Sequence, residues 1–159
     1  MSYTPKIFLD ASVFNFYIDG KQGKKQQETI KLFAAIKGGR YEAYSSGTVI
    51  DELKDAPPEK REKLLGLVKQ YAKATFPTTE EIKVLAKIYV QNGIIPAGSM
   101  TDAIHIATAT VNKMDFVVSC NMGHIVKQKT MIGAGFINLR AGYKQIGLSS
   151  SMEVMEYDV

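Results

Sequence analysis

Short apolar runs of strand length alternate along this chain with longer stretches of helical periodicity, and that alternation leaves few folds open. Lys6-Ile7-Phe8-Leu9, Tyr41 to Tyr44, Ala74-Thr75-Phe76, Asp115 to Cys120 and Phe136-Ile137-Asn138-Leu139 read as strands. Strands that are apolar throughout, rather than at every second residue, are those buried on both faces by flanking helices. The expected class is α/β: a three-layer α/β/α sandwich with a mainly parallel central sheet. With 159 residues and 45% hydrophobic content, residues 1–159 read as a single domain with one core.

The intervening stretches carry helix signals. From Gln26, Ile30, Phe33, Ala34 and Ile36 approximate one face, closed by Gly38-Gly39. Ser46 or Thr48 can cap a helix bearing Val49, Ile50 and Leu53, and Pro58 suits the first turn of the next, where its missing N–H is harmless. Thr78-Thr79-Glu80-Glu81 reads as a capping box with Thr78 as the cap, and Gly93 stands where that helix should end. Ser99 or Thr101 can cap a helix holding Ala103, Ile106, Ala107 and Thr110. The tail from Ser149 reads as a capped turn followed by a short strand or a frayed end, without chemistry.

Composition excludes several classes. No apolar stretch approaches the ~20 residues needed to cross a bilayer. Met1-Ser2-Tyr3-Thr4-Pro5 lacks the charged-then-apolar order of a signal peptide, and Cys120 is the only cysteine, so a cytoplasmic location is expected. One cysteine and two histidines are too few for a structural zinc site. Twenty Lys plus Arg against 16 Asp plus Glu give a net charge of +4, a mild bias toward polyanions.

Four oxygen-bearing residues sit where apolar segments begin or end: Asp10, Glu52, Asp102 and Asn121. In open α/β sheets, such positions meet in a crevice at the carboxyl edge of the strands. Each alone also reads as a cap, a turn residue or a solvated acid. Converging carboxylates repel one another unless a cation lies between them, and hard oxygen ligands suit Mg2+ or Mn2+. On this reading Asp10 and Asp102 bind the metal, Glu52 binds it or orients a water, and Asn121 adds a neutral oxygen. The reaction expected is attack of water on a phosphodiester.

These segments resemble PIN domains, the nuclease family that includes VapC-type toxins of toxin–antitoxin systems. The resemblance runs from near the N-terminus to about residue 140. Lys6 to Phe14 is similar to the family's opening strand, with Asp10 as metal ligand and Ser12 as the hydroxyl supporting it. Val49-Ile50-Asp51-Glu52-Leu53 resembles the helix with the second acid, a role assigned to Glu52 over Asp51. Thr101 to Ala109 resembles the helix with the third acid, Asp102, and is the most specific segment. Val117 to Asn121 resembles the last strand, with Ser119 supporting the fourth position. Asn121 stands where many members carry aspartate, and Ala11 replaces a common threonine.

The resemblance implies a metal-dependent ribonuclease whose partners are RNA, a small antitoxin protein and a second copy in a homodimer. Lys54, His124, Lys127 and Lys129 are candidate RNA contacts. His105 reads as a packed, hydrogen-bonded core residue or as a neighbour of the site. Phe14, Phe16, Tyr3 and Tyr17 read mainly as core, with base stacking as the alternative. Cys120 reads as a small buried hydrophobe. Two other functions compete. One is a PIN-fold module that binds RNA or protein but cleaves poorly, favoured by Asn121. The other is an aspartyl-phosphate hydrolase or receiver domain, opposed by Ser12 where a second acid belongs.

Overall fold

The structure is a computed structural model that describes residues 3–19, 21, 23–121 and 124–156, with the side chains of 124–126 left aside. Strand β1 (Lys6–Leu9) leads into helices α1 (Ala11–Ile18) and α2 (Lys24–Lys37). After β2 (Glu42–Ser46) come α3 (Gly47–Leu53) and α4 (Pro58–Tyr71), then β3 (Thr75–Phe76) and α5 (Glu80–Gln91). A 3-10 turn at Ala97–Ser99 precedes α6 (Met100–Val111), β4 (Phe116–Val118), α7 (His124–Arg140), β5 (Gly147–Ser149) and α8 (Ser151–Glu156).

The five strands lie in the order β3-β2-β1-β4-β5, and every pairing is parallel. This is the three-layer α/β/α arrangement with a parallel sheet that the alternation of segments predicts. β1 is central, with Phe8 opposite Tyr44 on one side and Val117 on the other. Ile7, Phe8 and Leu9 are fully buried, as expected of a strand covered on both faces. The chain leaves β1 for β2 on one side and reaches β4 on the other. The strand order therefore reverses beside β1, and the crevice at its carboxyl end is where side chains from separate segments meet.

Local expectations fare unevenly. Ser46 caps α3 by accepting from Val49 N–H at 3.1 Å, and Pro58 opens α4. The helix expected from Gln26 begins two residues earlier, at Lys24. Gly93, with φ of 73°, adopts the left-handed conformation that ends α5. The cap of α5 is Thr79, whose hydroxyl accepts from Ile82 N–H at 3.3 Å, rather than Thr78. Thr78 is drawn off to hydrogen-bond Thr48 at 2.7 Å. Ser99 sits at the N-cap of α6 without a side-chain cap bond, and Thr101 lies inside the helix.

The strand expected at 136–139 is instead the last turns of α7. Helical spacing sends Phe136 (67% exposed) and Leu139 (65%) outward, and turns Asn138 fully inward. There Asn138 Oδ1 accepts from Tyr89 O–H at 2.5 Å, tying α7 to α5. The edge strand forms later, at Gly147-Leu148-Ser149, where one large apolar residue is too weak a sequence signal. Gly147 pairs with Phe116, and a Cβ there would lie 2.6 Å from the Phe116 ring, so only glycine fits. In place of the turn and short strand or frayed end expected from Ser149, the chain runs from β5 into a helix. α8 opens with a capping box in which Ser150 and Glu153 exchange hydrogen bonds at 2.8 and 3.1 Å.

Candidate functional site

Asp10 ends β1 and is the N-cap of α1, so backbone geometry fixes its carboxylate at the sheet edge. Its own N–H donates to Val118 O at 3.3 Å, prolonging the β1–β4 ladder by one step. Its Oδ1 accepts from Ser12 O–H at 2.5 Å and from Val13 N–H at 3.3 Å, and the Ser119 side chain adds a further hydrogen bond. The residue is buried. Burial pushes the carboxyl pKa above its ordinary value, against the pull of Ser119, Ser12, His105 and the Val13 N–H.

Ser12 does more than hold Asp10. Its Oγ accepts from Cys120 N–H at 2.9 Å, so one buried hydroxyl joins the ends of β1 and β4. Ser119 Oγ accepts from Asn121 N–H at 3.3 Å. The two serines thus form a short polar chain from Asp10 to Asn121.

Glu52 projects from α3, and its Oε1 lies 2.6 Å from Nε2 of His105 on α6. It is Glu52, not Asp51, that meets α6. His105 is buried with its ring 5.8 Å from the Phe8 ring. Its Nδ1 is buried with no hydrogen-bond partner among the described residues. His105 is therefore both a core residue and a support of the second acid. Asp102, one helical turn earlier and on the same face, reaches the surface. Partial burial raises its pKa, the negative charge of Glu52 adds to the rise, and His105 opposes it. Asp10, Glu52 and Asp102 thus share His105 as a common neighbour. A group that raises the pKa of two carboxyls through burial is one in which a cation would be favoured.

Among the described residues, no three Asp, Glu, His or Cys side chains stand close enough to form a preformed metal cage. The donor set suits magnesium or manganese nonetheless. Such ions are held by one or two carboxylates, keep several waters, and need no enclosed cage. Asp10, buried, and Asp102, at the surface, are hard oxygen donors of that kind.

Asn121 is exposed and borders a pocket of about 200 Å³ lined also by Ser12, Asn15, Phe16 and Asp19. Lys54 and Lys129 are exposed, as a phosphate contact requires. Lys127 is not: it is buried and paired with Glu153 of α8, which corrects its expected role. Burial opposes ionisation of Glu153, but Lys127 and Ser150 hold its pKa down to about 2. The His124 side chain lies outside the described residues.

Cys120 is half-buried rather than simply apolar, with Sγ 3.6 Å from Ser151 Oγ and 4.0 Å from Thr29 Oγ. Burial pushes its thiol pKa up, the wrong direction for a nucleophile. Of the aromatics, Phe14 is core and Tyr17 stacks on Phe33 at 4.7 Å. Tyr3 is exposed and donates to Asp115 at 2.8 Å.

Sequence reasoning overlooked Lys25. Its Nζ lies 3.4 Å from the Cys120 carbonyl and 5.2 Å from the centre of the Phe16 ring, beside the pocket. The interleaving of Phe14 and Phe16 with Lys21, Lys24 and Lys25 is the signal that could have found it.

No family model and no curated protein matches the chain. Among solved structures, it is similar to a chain of VapBC2 from Rickettsia felis, solved bound to a DNA fragment from the promoter of that pair. The TM-score is 0.55 at 12% identity, over 91% of this chain and 98% of that one. At that identity the likeness speaks for the fold. The chain shares a PIN-like α/β/α fold with that structure over nearly its whole length.

Proposed function

We propose that this protein is a metal-dependent endoribonuclease, the toxin of a toxin–antitoxin pair, with Asp10, Glu52, Asp102 and Asn121 as its site. The observation that carries the reading is a buried, serine-supported Asp10 at the switch point of a parallel sheet. It shares the neighbourhood of His105 with Glu52 and Asp102. Asp10 and Asp102 would hold Mg2+ or Mn2+. A divalent ion supplies charge neutralisation at the phosphate and favours deprotonation of water.

The side chains divide the remaining work. Ser12 and Ser119 keep Asp10 oriented and draw its pKa down against the rise that burial causes. Glu52, steadied by His105, faces solvent and orients the attacking water. Asn121 offers an uncharged oxygen at the mouth, where a fourth carboxylate would repel the RNA backbone. Lys54 and Lys129 attract phosphates from the rim. The water oxygen bonds to phosphorus and the P–O3′ bond breaks. The 3′ oxygen leaves as a hydroxyl, and the other fragment keeps a 5′-phosphate.

A small antitoxin and a homodimer belong to this reading, as does a cytoplasmic location. Exposed Ile132, Phe136 and Leu139 on α7 offer apolar surface for association. No helix among the described residues is long and apolar enough to cross a membrane. A second reading, a PIN-fold module that binds RNA or protein and cleaves weakly, is favoured by the neutral Asn121.

The test is cleavage of single-stranded RNA in Mg2+ or Mn2+, comparing wild type with Asp10→Asn and Asp102→Asn. Loss of at least about 100-fold in each variant and in chelator is expected, on the scale of removing a stabiliser of the transition state. Cleavage that survives chelator and both substitutions would end the proposal. RNA binding without turnover would favour the second reading.

A further inference from the structure

Asp10, Glu52 and Asp102 share one neighbourhood, and their combined charge repels a polyanion. A metal ion held there offsets the repulsion at the phosphate it touches, so phosphates on either side need countercharge of their own. The strand order decides where it comes from. β2 and β4 flank β1 on opposite sides, so Glu52 and Lys54, which follow β2, lie across Asp10 from Cys120 and Asn121, which follow β4. Each flank carries a cation beside its backbone. On the β4 side, Lys25 Nζ lies 3.4 Å from the Cys120 carbonyl oxygen and 5.2 Å from the centre of the Phe16 ring. On the β2 side, Arg61 Nη1 of α4 lies 3.5 Å from the Lys54 carbonyl oxygen.

A surface lysine ordinarily gives up side-chain freedom when it binds an anion. Lys25 has part of it given up already, because ring and carbonyl both attract its ammonium. The Phe16 face is thereby taken by a cation, so this flank meets the backbone of a strand rather than its bases. An ammonium has three N–H donors and a guanidinium five, and the carbonyl beside each takes one. Among the described residues neither cation is paired with a carboxylate, whereas Lys24, Lys73, Lys127 and Lys144 are. We propose that Arg61 and Lys25 are phosphate-positioning residues on opposite sides of the scissile bond, with the RNA backbone crossing Asp10 from the β2 flank to the β4 flank. The site then selects an internal phosphodiester with a charged phosphate on both sides, whatever the bases. A dinucleoside monophosphate has no flanking phosphate and lacks both contacts. The assignment rests on the ribonuclease reading for the scissile bond, although the two contacts can be measured by binding alone.

The experiment uses the full chain and a fluorescent RNA oligomer whose cleavage position in Mg2+ is mapped. Companion oligomers carry one uncharged methylphosphonate in place of a single phosphate beside that position. In wild type, a neutral linkage on either side should raise KM several-fold with little change in kcat, as loss of uniform binding does. Lys25→Gln should be indifferent to the neutral linkage on one side only, and Arg61→Gln to that on the other. By anisotropy in chelator, each substitution should lower the slope of log affinity against log salt by about one unit. Lys113→Gln, an exposed lysine before β4 at the opposite edge of the sheet, should leave the slope unchanged. If RNA is cleaved while both variants feel each neutral linkage as wild type does, or lose sensitivity on the same side, the crossing is refuted and the nuclease stands. If nothing is cleaved but Lys25→Gln and Arg61→Gln each lower the slope and Lys113→Gln does not, the two contacts stand and the nuclease reading falls. Neither cleavage nor a changed slope overturns both.

Discussion

Replacing Ser12 by alanine removes one hydroxyl and disturbs both central strand ends. The group donates to Asp10 Oδ1 at 2.5 Å and accepts from Cys120 N–H at 2.9 Å. A hydrogen bond to a carboxylate contributes about 1.5–3 kcal/mol, and a buried N–H left without a partner costs about 1–3 kcal/mol. The adjoining pocket admits water, which recovers part of this. A net loss of about 3 kcal/mol follows, or roughly 6–12 °C in Tm for a chain of this size.

The pH dependence carries a sign. The folded-state pKa of Asp10 is raised, so its ionisation destabilises the fold as pH climbs from the unfolded carboxyl range through that value. Ser12 lowers that pKa, and alanine lets it rise further. The deficit of Ser12→Ala is therefore largest near neutrality and shrinks on acidification, when the carboxyl is protonated in both proteins. Urea unfolding at neutral and acidic pH of wild type, Ser12→Ala, Asp10→Ala and the double variant measures both effects. The two sites should couple by at least about 1 kcal/mol, and Ser12→Thr should restore most of the loss. A deficit under about 0.5 kcal/mol, or one that grows with acidity, would refute this account of the pair.

Three further outcomes test other parts of the structure. His105→Phe keeps the packing against Phe8 but frees Glu52; RNA cleavage should lose about tenfold in kcat with little change in KM, and an unchanged kcat removes His105 from any positioning role. Gly147→Ala drives a Cβ into the Phe116 ring and should cost about 1–3 kcal/mol by chemical denaturation, whereas a neutral result would mean that β5 can shift. Glu153 is held at about 2 by Lys127 and Ser150, so its stabilisation is present above the unfolded carboxyl range and fades as pH falls through that value. Glu153→Gln should flatten the acid limb of a Tm-versus-pH curve between about 4.5 and 2, and an unaltered limb would count against the ion pair.

The layered architecture was legible in the sequence because uniformly apolar strands require helices on both faces. Asp10 could be found from Leu9, since a polar residue closing a buried strand must lie at the sheet edge. Ser12 and Ser119 were legible only through the resemblance of their segments to PIN domains. The strand at 136–139 was misread because four apolar-rich residues satisfy either period, and the burial of Asn138 decides between them only once Tyr89 is in place. Lys127 was misread for a related reason: a lysine in a basic run looks solvated until the fold brings Glu153 to it from α8.

Short-range pattern thus determined the α/β class, the capped helices and the positions at which acids could gather. Contacts between distant segments were decided by the tertiary structure alone. The strand order brought β1 beside β4, so that Ser12, which holds Asp10, also accepts from Cys120, 108 positions further along the chain. Packing of α3 near α6 set Glu52 on His105, and the turn from α1 into α2 placed Lys25 over Phe16 beside Asn121. Periodicity reports which face of a segment is apolar. Which partner that face meets, and which polar group comes with it, depends on burial shared by the whole chain.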